Sequence, residues 1–497
     1  INQVKGVTLE FVLNSVVTPF NFKINRVVKL LTNPQARSES MNIGVILNRV
    51  FRINNNPLFE YINQQKDDID KCYLIIPKET FEEEGTDKKA NYYYGTLEKF
   101  LYQLKEHHIE PYVINYSELG MFCTEHDIKE IVMAGDIMSY HQERYDIRHL
   151  KQAFKKHDIS VITINVNHYF KPSNTMNQQG QPYKVFTSFY KAHRSKLRQH
   201  SSYQYHLSDI ANKCSQSQQT ITNDYHHDGQ SEDQALNNWQ DYLNHSIQNY
   251  KKDREYLPEV LTSQLSIALA YGLIDIKQII TDLLERYEEN ENNYESFIRE
   301  VMFREFYYVL MAQYPHSAHE AFNEKYRTIQ WSYNKEEFNR WCEGKTGFPI
   351  IDAAMNELNE TGFMHNRMRM VVSQFLTKDL FIDWAWGEDY FRKKLIDYDA
   401  ASNVHGWQWS ASTGTDAVPY FRMFNPTRQS ERFDKDALYI KKYIPIFDNV
   451  PAKFLHHPFQ HQTQLVKKGI QLGEDYPKPI VDHKVAREYV MTIFKNI

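Results

Sequence analysis

The chain has 497 residues, 41% hydrophobic and 24% charged, an ordinary globular balance in a chain too long for one small core. Its formal net charge is −5, so a nucleic-acid partner must meet a local basic patch and not a generally basic molecule. Four cysteines without a Cys-x-x-Cys pair argue against a disulfide framework and for a reducing compartment, the cytoplasm, and no run of about 18 apolar residues is present to cross a membrane.

Residues 1–40 carry five Lys/Arg against Glu10 and Glu39 and read as an N-terminal extension outside the fold. From 41 to 170 short apolar runs alternate with helical patterns. The runs NIGVILNRV, CYLIIP, PYVINY, IKEIVMAG and ISVITINV read as strands, and YYGTLEKFLYQLKEHH sets Leu97, Phe100, Leu101 and Leu104 on one helical face. Runs apolar on both faces with helices between them predict an α/β domain built on a doubly wound parallel sheet. No G-x-G-x-x-G follows the first strand, which argues against an ordinary NAD site there.

Residues 171–235 are rich in Ser, Asn, Gln and His and read as a long polar interdomain connector over the surface, with one basic piece, YKVFTSFYKAHRSKLRQH. From 236 to 497 helical periods predict an all-α domain, regular to about Phe447 and less so beyond.

Chemistry gathers in this second half. Thr262, Ser263 and Ser266 stand where a helix begins, and hydroxyls with free N–H groups at a helix start suit an anion, although plain capping explains them as well. Glu300 and Arg304 form an i, i+4 pair among Phe297, Phe303, Phe306 and Tyr307, surroundings in which a carboxyl is expected to hold its proton. In TGFMHNRMRM, Phe363, Asn366 and Met370 share a helical face that suits a flat ring, while a helix packed by Phe and Met explains the same pattern. Asp397, Asp399 and Asn403 lie close together, but Ser402 and Gln408 stand where a calcium loop needs Gly and Glu. The acids are left to accept from a polar heterocycle or to pair with Arg369. The histidines of FLHHPFQH have no partners at metal-ligand spacing, so no metal is expected. Six of the seven tryptophans fall between Trp331 and Trp409, a density that bulk alone does not require.

Taken together, GKTGFPIIDAAMNEL, TGFMHNRMRM, LIDYDAASNVHGWQWSASTGTDAVPYFRMFNP and FRE resemble the photolyase/cryptochrome family, and within it a bacterial class I cyclobutane pyrimidine dimer photolyase. The resemblance spans roughly 41–447. It implies an α/β domain, a connector and a helical FAD-binding domain, and light-driven repair of pyrimidine dimers in UV-damaged DNA by electron transfer from reduced, anionic FAD to a flipped-out dimer. Tyr250 and Thr262, Ser263, Gln264, Leu265 and Ser266 then hold the FAD phosphates. Asp397, Tyr398 and Asp399 face its polar edge and ribose, Arg369 pairs with Asp397, and Asn403 sits opposite N5. Glu300, Asn366 and Met370 meet the dimer, with Phe303, Arg304, Arg367 and Gln429 on the substrate side. Trp407, Trp384 and Trp331, in order from flavin to surface, form an electron-transfer chain, and Trp341, Trp386 and Trp409 are left as core.

Phe303 stands where the family carries a dimer-stacking Trp, and Phe363 where it carries a Trp beside the flavin. A folate-type antenna pigment is a second cofactor of the family, and AGDIMSYHQERYDI, where it would be contacted, aligns ambiguously, so no residue is assigned to it. A monomer is expected. A cryptochrome photoreceptor is the alternative, disfavoured by Asn403 and by the short stretch after the matched region. A (6-4) photolyase comes third, because Asn366 stands where that branch has a second His.

Overall fold

The computed structural model describes residues 40–79, 81, 83–135, 154–217 and 228–497. The expected extension over 1–39, most of the ambiguous antenna stretch from 136 on, and connector residues 218–227 lie outside the described residues.

All five expected strands form one parallel sheet: β1 (Met41–Ile46), β2 (Ile69–Lys78), β3 (Tyr112–Asn115), β4 (Ile128–Ala134) and β5 (Ser160–Ile164), in the order β3-β2-β1-β4-β5. The central strand β1 has both faces covered. Ile43 and Val45 enter one apolar cluster and Ile46 the other, which is why its sequence is apolar without alternation. Helices α1 (Pro57–Gln65), α2 (Asp87–Glu106) and α3 (Leu119–Glu125) cover the sheet. Along α2, Leu97, Phe100 and Leu104 are buried as expected, while Leu101 is only partly so.

Strand order reverses beside β1, and the crevice beyond its C-terminal end is the usual ligand site of such sheets. Here that end docks on the helical half instead. Arg49 is buried in a two-pronged pair with Glu79 (2.7 and 2.9 Å) and donates to the Ala270 carbonyl (3.4 Å), while Arg52 donates to the Gly272 carbonyl at 2.8 Å.

The connector differs from the expected surface strap. Its helix α4 (Phe186–His193) buries Phe186 and Phe189, and Glu305 anchors the chain ahead of it by accepting from the backbone N–H groups of Tyr169 (2.8 Å) and Phe170 (3.2 Å). Its average polarity hid an amphipathic turn.

The helical half contains α5 (Glu232–His245), α6 (Leu265–Ala270), α7 (Ile276–Glu285), α8 (Glu291–Gln313), α9 (Lys335–Cys342), α10 (Pro349–Thr361), α11 (Asn366–Gln374), α12 (Trp384–Lys394), α13 (Ala400–Ala411), α14 (Pro426–Phe433), α15 (Leu438–Tyr443) and α16 (His483–Asn496), with shorter turns between them. The 23-residue α8 crosses the middle and packs on α13 and α4. Helix α11 begins at Asn366, later than the apolar spacing implies, because His365 caps it: the His365 ring accepts from the Arg367 N–H (3.1 Å). A π-helical turn, Phe375–Asp379, follows α11. Helix α16 corrects the expected irregular tail, since Val490 and Phe494 pack on Ile329 and Phe381. Among the described residues no helix is long and apolar enough to cross a membrane.

Candidate functional site

A cavity of about 580 Å³ opens in the helical half, within the range of small-molecule sites. Its walls come from the turn at Tyr250 and Arg254, the Thr262–Ser266 segment with α6, the middle of α8, the start of α11, and α12 and α13.

One end is polar. The Arg369 guanidinium meets both oxygens of buried Asp397 at 3.0 and 2.9 Å and is itself aimed by a bond to the Met364 carbonyl (2.8 Å). A carboxylate that far from water is sustained by such a pair. Asp399 caps α13 by accepting from the Ser402 N–H (2.8 Å), accepts the Tyr308 hydroxyl (2.5 Å), and lies 4.0 Å from Arg304. Across the cavity Gln264 takes a left-handed conformation (φ 50°) at the start of α6, which turns the Thr262, Ser263 and Ser266 segment onto the cavity wall.

The opposite side is where the sequence reading needs correction. Glu300 pairs with Arg254 (2.8 Å) and not with Arg304. Arg304 turns instead to buried Glu305 (3.0 Å) and the Asn167 carbonyl (3.1 Å). Glu300 is therefore half of an ion pair and not an isolated carboxyl among rings. Asn366 is exposed at the first turn of α11, and Met370 follows one turn later; both line the cavity with Phe363 and Phe303. The Asn403 side-chain N–H group donates to the backbone and carboxylate oxygens of Glu388, both at 3.1 Å, which leaves its amide oxygen for a ligand.

The aromatic wall is Trp407, Trp409 and Phe391. Trp407 is buried, sits edge-on to Phe391 (5.0 Å) and Trp341 (6.0 Å), and its indole N–H has no partner. Gly387 admits that ring, because a Cβ there would overlap it. A Cβ on Gly406 would meet no atom within 4 Å, so α13 leaves open space at this wall.

Five expected residues stand outside the lining. Tyr398 is buried behind it, donating to Glu388 (3.1 Å) with the Lys89 ammonium 4.6 Å from its ring centre, so its side chain serves the interdomain contact and not the cavity. Arg367 forms a two-pronged pair with Glu255 (3.1 and 2.8 Å), and Gln429 lies on α14. Trp384 is buried in the same apolar cluster as Trp407, with Trp331 partly exposed at its edge against Phe381 (5.0 Å). Trp341 is core, its N–H donating to the Val372 carbonyl (3.2 Å). Trp409, in contrast, lines the cavity, as do Arg254, His365 and Gly406, none of which the motifs assigned. Arg254 lies four residues after Tyr250, a helical spacing that would have found it. Burial pushes the His365 ring down to about 4 and keeps it neutral. Among the described residues no cluster of His, Cys, Asp and Glu could hold a metal ion, and His456 is taken up by Ser430 (2.7 Å) and the Lys435 carbonyl (3.2 Å).

Comparison with known proteins agrees with this arrangement. Residues 45–209 match the family described as DNA photolyase, and residues 297–496 match the FAD binding domain of DNA photolyase. A deoxyribodipyrimidine photo-lyase of Alkalihalophilus pseudofirmus is 36% identical over 362 residues, 69% of this chain and 74% of that protein. One from Buchnera aphidicola is 32% identical over 89% of this chain and 94% of its own. The crystal structure of a bacterial class III photolyase from Agrobacterium tumefaciens superposes with a TM-score of 0.81 at 27% identity, over 93% of this chain and 99% of that one. With its parallel sheet docked on a helical half that carries this cavity, the chain belongs to the DNA photolyase family and contains that family's FAD-binding domain.

Proposed function

We propose that the protein is a deoxyribodipyrimidine photo-lyase that uses light to split cyclobutane pyrimidine dimers in UV-damaged DNA, with FAD and the extruded dimer sharing the cavity. One observation carries this reading. Glu300, Asn366 and Met370, the expected dimer contacts, line the same cavity as Arg369, Asp397 and Asn403, the expected flavin contacts.

The residues present fit FAD. An unpartnered buried indole N–H, an open wall at Gly406, a fixed Arg369–Asp397 pair and hydroxyls at Thr262, Ser263 and Ser266 offer a flat ring and an anionic chain what each needs. Reduced FAD, when bound, supplies the photoexcited electron and takes it back, so the reaction has no net redox change. The chain's own work is holding. Glu388 fixes the Asn403 amide so that its oxygen faces the ring system. Arg369 neutralises Asp397 at the polar edge. Arg254 aims the Glu300 carboxylate at the pyrimidine edge. Asn366 and Met370 bracket the dimer, two linked neighbours of one strand that leave the duplex more readily than an intact step because damage weakens their stacking and pairing. Trp407, Trp384 and Trp331 are proposed to relay electrons inward from the surface. Arg367 and Gln429, outside the lining, are proposed to meet the DNA strand, and Tyr398 acts on Asn403 only through Glu388. The protein works as a monomer.

The test is dimer loss from a thymine-dimer oligonucleotide incubated with the reduced protein. Repair under blue light and none in the dark is expected. No repair in light by protein with bound, photoreducible flavin would overturn the assignment.

A further inference from the structure

Phe303 is a small ring for a base-stacking surface, and the structure gives it a partner. The Phe186 ring lies parallel behind it, centroids 3.4 Å apart and planes within 8°. Phe303 lines the cavity; Phe186 does not and is only 1% exposed. A lone phenyl on a helix can turn about its side-chain torsions, but a ring stacked on a buried partner keeps its plane.

Phe186 is itself held from several sides. Its backbone N–H donates to Asp416 at 3.0 Å, which ties the start of α4 to the loop after α13. Phe306 meets its edge at 5.8 Å, and the Arg299 guanidinium lies 4.7 Å from its ring centre. Arg299 flanks the pair, 5.8 Å from the Phe303 ring centre as well, so the stack is the two rings alone, Phe186 behind and Phe303 at the cavity.

We propose that Phe186 is a positioning residue for the damaged bases: from the connector, it holds Phe303 as a flat platform on which the extruded pyrimidine pair seats. This rests on the cavity being the lesion pocket. A second ring behind the first supplies the rigidity that a single larger indole would have brought alone.

The experiment measures dark affinity of the FAD-bound protein for thymine-dimer and undamaged oligonucleotides. The ratio of the two is the readout, so changes in general DNA binding cancel. Phe303→Ala is expected to cut the ratio about tenfold, by the worth of one base–aromatic stack. Phe186→Leu is expected to cut it roughly fivefold while flavin content and undamaged-DNA affinity hold. Phe186→Met is the second variant, since it also fills the site without a flat face. Phe303→Trp in the Phe186→Leu background is expected to recover most of the loss. An unchanged ratio in Phe303→Ala would sink the lesion-pocket reading itself. A loss in Phe303→Ala with none in the Phe186 variants overturns the platform. So does a loss that Phe303→Trp does not recover, or flavin loss in both Phe186 variants, either of which marks Phe186 as packing alone.

Discussion

Single residues at the cavity do work that their neighbours set. Glu300 is oriented by Arg254, so Glu300→Ala removes the proposed pyrimidine contact and strands a partly buried guanidinium, while the rest of the cavity lining stays intact. We expect flavin content to hold, dimer affinity to fall about tenfold or more, as for a lost hydrogen bond to a charged group, and repair per absorbed photon to drop. Loss of flavin on purification would show Glu300 to be structural. His405 makes a different point. It is fully buried on α13, stacks on Tyr307 at 5.7 Å, and burial pushes its ring down to about 3. A histidine whose folded value lies below its unfolded value of about 6.5 stabilises fully above that pH and less as pH falls toward 3, by up to about 1.4 kcal/mol per pH unit. Burial pushes Asp352 and Asp379 the opposite way, up to about 6, so their contribution is greatest at low pH and is lost as pH rises through that value. Comparison with His405→Phe separates the two. Denaturant unfolding at pH 7.5 and 5.5 should show the parent losing about 1 kcal/mol more than the variant, and equal losses would count against a neutral buried ring.

Helices and turns decide which motif residues meet. The strands and the long α2 were legible because burial on both faces of a parallel sheet leaves continuous apolar runs, and because α2 carries Ala90, Tyr93, Leu97, Phe100 and Leu104 at helical spacing, whereas α10 is buried almost all round, from Pro349 to Met355 without a break. Three things were not. Arg304 sits at the right spacing for Glu300, but buried Glu305 next to it in the chain competes, and adjacency in space with Arg254 has no sequence period. Trp409 lies two positions from Trp407, an angle that puts the two on different sides of an isolated helix, yet the cavity is wide enough for both to line it. Phe186 was hidden in a connector of polar average composition. The tryptophan cluster divides by element as well. Trp407 belongs to α13, Trp384 opens α12, and Trp331 lies ahead of α9 at the edge of the same apolar cluster. Phe at 331 preserves the packing on Phe381 but not an oxidisable ring at the surface. Trp331→Phe is expected to abolish photoreduction of oxidised flavin in vitro and to spare repair by pre-reduced protein. Unchanged photoreduction kinetics would remove Trp331 from the route and turn attention to Trp341, which lies 6.0 Å from Trp407.

At the scale of the molecule, a protein of net charge −5 that engages a polyanion needs its cations on one path. Helix α4 begins at Phe186, against the cavity wall, and leads to Lys191, Lys196 and Arg198, all exposed, whereas Arg194 is spent on Glu295 at 2.7 Å. The same segment that braces Phe303 thus carries free positive charge away from the pocket. A DNA strand laid along it would direct its damaged step at the cavity mouth. Phosphate contacts release counterions and carry no sequence information, so they should set affinity without setting damage preference. Replacing Lys191, Lys196 and Arg198 together by Ala should flatten the plot of log affinity against log salt, by about 0.7 per lost contact on single-stranded DNA. Affinity for damaged and undamaged oligonucleotides should fall in parallel, so that their ratio and the repair yield of bound dimers stay as they were. An unaltered salt slope would place the strand on another face. A changed ratio would mean that α4 reads the lesion through more than Phe186.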